Sequence, residues 1–148
     1  MPTLLDLNPA LPSILVDERP ADYDWAELAH LWNRNDMRGM HDWLNQRWSR
    51  LVETRMMGQR DTDAEFLQAL AFAALALHFT QNRNQEGALL MLDDALVALT
   101  RFRPGLFGVR VDPILDTLNE LRPMMVGLAP EDECPLQPFV YRRFEFRH

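Results

Sequence analysis

The sequence predicts an all-α fold: a compact five-helix bundle with an irregular, proline-rich N-terminal arm and an extended C-terminal tail. Three observations carry this. From Trp25 onward, apolar residues recur at spacings of three, four and seven, the repeat of one helical face. Capping residues precede the successive runs: Asp24 with Glu27, Asn35 or Asp36, Thr62 with Glu65, and Asp112 with Pro113. Gly58, Pro104, Gly105 and Pro123 punctuate the ends. At 148 residues the chain suits one domain, 1–148, with a single sizeable core.

In that reading residues 1–22 are the arm, 24–122 the bundle and 123–148 the tail. Pro2, Pro9, Pro12 and Pro20 prevent a regular helix in the arm, and Ser13 to Val16 suit a short extended piece. The first helix shows one apolar face through Trp25, Leu28, Ala29 and Trp32, with His30 on its surface. The second runs from Asn35 or Asp36 to about Met56, and Gly58 to Asp61 make a turn. The third begins at the T-x-x-E box of Thr62 and Glu65. From Phe66 to Phe79 it is apolar nearly all round, which predicts a central helix covered on several sides. The fourth follows the Asn82 to Gln85 loop and turns Ala88, Met91, Leu92, Ala95, Leu96 and Leu99 inward. A short fifth helix starts at Asp112-Pro113 and ends at Pro123. In the tail, Phe144 and Phe146 alternate with charges, which suits a weak strand that pairs with Ser13 to Val16 or docks on a partner subunit.

Composition removes whole classes of function. The net charge of −7 opposes sequence-independent binding to nucleic acid or to an anionic membrane surface. All 15 basic residues are Arg, so Schiff-base lysines, phosphate-loop lysines and serine–lysine dyads are excluded. The single cysteine, Cys134, allows no intrachain disulfide and sits among carboxylates that disfavour a reactive thiolate. With an N-terminus unlike a signal peptide and no apolar run long enough to span a bilayer, a cytoplasmic location is expected. Neither serine, Ser13 or Ser49, lies in a nucleophile elbow, and neither a dinucleotide fingerprint nor H-E-x-x-H occurs.

The stretch with most chemical content is Leu31 to Trp48, LWNRNDMRGMHDWLNQRW. It places His41, Leu44, Asn45 and Trp48 on one side of the second helix, followed by Leu51 and Val52. Polar groups on an apolar face require partners, so they mark a structural hydrogen-bond pair of His41 with Asn45 or a site. Histidine with carboxylate can bind a divalent metal, and His78 supplies a second imidazole if the third helix packs on the second. Asp42 follows His41 directly and points about 100° away on a helix. Trp43 also falls off the His41 face, and an exposed Trp there would favour a dimer contact.

These residues resemble the family catalogued as domain of unknown function 309. Its signature has a Tyr-Asn-like turn leading into an H-E-x-x-E-x-x-W helix. FLQALAFAALALHFTQNRNQEGALLMLDDAL resembles its second block, an alanine-rich helix closing in His, a small turn and a G-A-x-x-L-L helix. The resemblance covers about Trp25 to Leu121 and implies a compact all-α bundle, sometimes labelled a metal-dependent hydrolase. His41, Trp48 and His78 match motif positions. The two motif glutamates are Asp42 and Asn45 here, and Asn45 removes the convergent anionic ligand.

Three functional expectations follow. The first is a non-catalytic binding or interaction module, expected as a homodimer. The second is a metal-dependent hydrolase with His41, Asp42 and His78 as ligands and Asp42 as candidate base. The third is a small-molecule pocket between the second and third helices, with His41, Asn45 and Trp48 as its polar and aromatic groups.

Overall fold

The computed structural model describes residues 19–54, 61–127 and 143–146. Ser13 to Val16, Met56, the Gly58 turn, Cys134 and most of the tail lie outside them. A 3-10 turn at Pro20–Asp22 leads into α1 (Trp25–Asn33), α2 (Met37–Thr54), α3 (Thr62–Gln81), α4 (Gln85–Thr100) and α5 (Asp112–Val126). Each helix packs chiefly on its neighbours in sequence, with the most extensive contacts made by α3 against α4 and α2. The fold is the expected all-α bundle.

Side-chain caps account for most helix starts. Asp24 accepts from Glu27 N at the head of α1, and Asp36 accepts from Gly39 N at the head of α2. Asn84 accepts from Gly87 N and starts α4. At α3 the cap is Asp61, not Thr62: its Oδ1 accepts from Asp63 N and Ala64 N. Asp112 is not a cap either. Its carboxylate is engaged by Arg103 at 2.7 Å, and Val111 precedes the helix without a side-chain cap.

Phe66 of α3 sits at the centre of an aromatic cluster. Its ring lies 5.1 Å from Phe102 just after α4, 5.8 Å from Phe107 and 6.4 Å from Trp25 of α1. Trp25 in turn meets Trp43 of α2 at 5.5 Å and donates its indole N–H to Pro20 O. Trp43 is buried, so the condition for a dimer contact there is not met: its indole N–H donates to Glu27 at 2.6 Å and Arg47 stacks on its ring at 3.8 Å.

Two further features differ from expectation, and the described tail residues add a third observation. Gly105–Leu106 and Val109–Arg110 form a small antiparallel hairpin, β1 and β2, where Pro104 and Gly105 had read only as a helix stop. Its turn has positive φ at both Phe107 and Gly108, the combination that matches strand twist. A left-handed Phe costs about 1–2 kcal/mol, and the packing of Phe107 on Trp25 and Phe66 offsets it. A Cβ at Gly105 would collide with the Val109 carbonyl oxygen, so only glycine fits there. Second, α5 continues through Pro123 to Val126, because Leu121 and Met125 are buried and Gln85 donates to Met125 O. Third, the described tail docks on its own chain: Phe144 packs by Trp32, its N–H donates to Asn33 Oδ1, and Phe146 bridges to Val109.

Replacing Phe66 with Ala empties the middle of this cluster, and denaturant unfolding should show a loss of about 3–5 kcal/mol. A second expectation concerns acid. The hydrogen bond from Arg122 holds the Asp93 carboxyl below its usual range, against a small opposing effect of burial. A depressed folded-state pKa gives stability that is present above the unfolded value of about 3.9 and lost as pH falls through the folded one. Asp93→Asn should therefore lower stability modestly at neutral pH, with the difference from the parent disappearing in acid unfolding series.

Candidate functional site

The rotation of α2 decides what faces outward. At roughly 100° per residue, Trp43 and Arg47 share the side turned to α1, while Met37, Met40, Leu44 and Leu51 occupy the adjoining side. These four are buried in the core. His41, Asn45, Trp48 and Val52 then fall together on the side opposite Trp43. Leu44 and Leu51 therefore leave the His41 face expected of them and enter the core, and Val52 stands exposed.

The same logic applies to α3. Phe66, Leu70, Ala73 and Leu77 point into the bundle and are buried. Gln68, Ala71, Phe72 and Leu75 lie on the opposite side. Ala71, Phe72 and Leu75 are only half-buried, so this central helix is not covered all round.

Between the two outward faces lies a pocket of about 170 Å³ lined by His41, Asn45, Trp48, Gln68, Ala71, Phe72 and Leu75. Four of the seven are apolar walls, and three offer uncharged or titratable hydrogen-bonding groups. Among the described residues, nothing hydrogen-bonds to the side chains of Asn45 and Gln68 or to the Trp48 indole N–H. The His41–Asn45 pair is thus not a buried structural bond: Asn45 is exposed and the two make no hydrogen bond there.

His41 Nδ1 lies 3.5 Å from Asp42 Oδ1, whose side chain is 60% exposed. The structure brings this pair together but not His78. That residue lies toward the end of α3, next to Asn82, whose amide nitrogen is 3.3 Å from His78 Nδ1, and it does not line the pocket. Among the described residues, no three His, Cys, Asp or Glu side chains gather as a metal-holding group. The donor set of the hydrolase reading, His41, Asp42 and His78, is therefore not assembled among them.

A larger recess of about 440 Å³ follows Pro104 to Arg110. Its described lining is one consecutive segment, and its single ionisable side chain, Arg110, lies 3.7 Å from Glu145. It gathers no chemistry from separate elements, so the smaller pocket is the better candidate despite its size.

Comparison of the chain with protein-family models, curated proteins and solved structures finds no match. No helix among the described residues is long and apolar enough to cross a membrane.

Sequence reasoning found the α2 half of the pocket and missed the α3 half. The available signal was Gln68, the lone polar residue between Phe66 and His78 in an otherwise apolar run. The openness of the pocket has a mutational signature. Ala71→Leu should leave the unfolding midpoint nearly unchanged, whereas Ala74→Leu, at a fully buried position, should cost about 1–3 kcal/mol through overpacking.

Proposed function

We propose that this chain is a non-catalytic binding module whose site is the pocket between α2 and α3. The observation that carries the reading is the convergence of aromatic walls with hydrogen-bonding groups that have no partner among the described residues. Binding sites combine an apolar lining with a few polar groups that orient the ligand, and this pocket has that composition. The resemblance to the domain of unknown function 309 family belongs to the same proposal, through His41, Trp48 and the alanine-rich α3. Asn45, which stands where that family carries a glutamate, supports binding over hydrolysis.

The hydrolase alternative requires three or more good ligands around one point, and His78 is not among the pocket residues. The homodimer expectation relied on Trp43, Phe144 and Phe146. Trp43 and Phe144 are buried within the protomer, and Phe146 packs against its core. The reading that draws support from geometry is therefore the pocket itself.

A thermal-shift screen of small fragments tests it, with Ala71→Phe as the blocked control. A specific ligand present at about 100 times its Kd stabilises the folded state by about 2.7 kcal/mol. The expected result is a set of fragments that raise the Tm of the parent protein and not of Ala71→Phe. Equal shifts in both proteins, or none in the parent, would sink the proposal.

A further inference from the structure

The inference below rests on the binding-module reading and adds what the pocket takes. We infer that the pocket receives an uncharged small molecule that buries one aromatic ring and presents a hydrogen-bonding edge to His41, Asn45 and Gln68.

Size is the first constraint. A volume of about 170 Å³ is close to that of an apolar cavity of about 150 Å³ that accommodates a benzene molecule. It falls below the range of roughly 300–1,000 Å³ that encloses drug-sized ligands and cofactors. One ring fits, and a fused multi-ring cofactor does not.

Wall chemistry is the second. Trp48 and Phe72 offer aromatic faces and edges, with Ala71 and Leu75 completing the apolar lining. Rings pack on such walls in offset or edge-on arrangements that an aliphatic group cannot reproduce.

Charge is the third. The described lining holds no Arg, Asp or Glu. An anionic ligand would find no fixed cation in the pocket and would approach a protein of net charge −7. A cationic ligand would find no carboxylate in the described lining, since Asp42, beside His41, lies outside it and is turned largely to solvent. The amides of Asn45 and Gln68 instead provide paired donors and acceptors, which suit a phenol, an amide or a ring nitrogen.

The surroundings favour a small molecule over a protein anchor. A specific protein interface covers roughly 800 Å² per partner around an apolar centre. The exposed large hydrophobic residues among those described are Val52 on α2, Leu90 and Val97 on α4 and Val126 on α5. Only Val52 stands on a helix that forms the pocket.

The test is a titration of the full chain, followed through the Trp48 indole N–H and the Asn45 and Gln68 side-chain amide signals in proton–nitrogen NMR spectra. The probes are phenol, benzamide, benzoate, benzylammonium and cyclohexanol, all of similar size. Phenol and benzamide should shift these signals saturably. Benzoate and benzylammonium should need about tenfold higher concentration, because burying a charge without a partner is unfavourable. Cyclohexanol should also bind more weakly. Ala71→Phe should abolish the shifts, and the exposed-site variants Asn45→Leu and Gln68→Leu should weaken benzamide without unfolding the protein. Equal or tighter binding of benzoate, benzylammonium or cyclohexanol at the same signals would overturn the ligand class and leave the binding module standing. Absence of any saturable shift in the pocket, together with a failed fragment screen, would overturn both.

Discussion

Phe66 touches rings from α1, from just after α4 and from the hairpin, and Trp25 extends that contact to Trp43 on α2. Trp25 also meets Tyr23 and Phe107, so the two rings together tie α1, α2, α3 and the hairpin into one cluster. Its effect is rotational as much as energetic. Once Trp43 turns toward α1 and Phe66 turns into the bundle, helical geometry assigns the opposite faces of α2 and α3 without further choice. His41, Asn45 and Trp48 face outward because Trp43 cannot.

This places most of the core on faces away from the pocket. The residues that hold the helices together lie on one side of each helix, and the pocket lies on the other. Substitutions at the exposed Asn45 and Gln68 would alter the pocket with little cost to the core, whereas Trp48, Ala71 and Phe72 also pack against it. The converse does not hold. Loosening the aromatic cluster would let α2 and α3 rotate, and the pocket residues would no longer converge.

Much of the fold was legible because local chemistry and tertiary packing agree. Asp24 caps α1 as the Asp-x-x-Glu pattern indicates, and the apolar periodicity of Trp25, Leu28, Ala29 and Trp32 matches their burial. Legibility failed where distant partners decide. Asp112 is drawn from capping by Arg103, and α5 passes Pro123 because burial of Met125 outweighs one missing backbone donor. The hairpin escaped notice because a Phe in a left-handed turn is disfavoured until Trp25 and Phe66 are beside it. In the site, three and four spacing found His41, Asn45 and Trp48. It could not show that Ala71, Phe72 and Leu75 remain partly open, because an apolar helix looks the same in sequence whether it is covered on three sides or four.

The contact of Phe144 with Trp32 spans most of the chain. The associated hydrogen bond, Phe144 N to Asn33 Oδ1, joins residues 111 positions apart. During synthesis the α1 residues emerge before α2 to α5, and their covering segment emerges only after those four helices have been made. Closing so long a loop adds an entropic cost that local helix contacts do not carry. The nascent chain must therefore hold Trp32 without its final cover while α2 to α5 assemble.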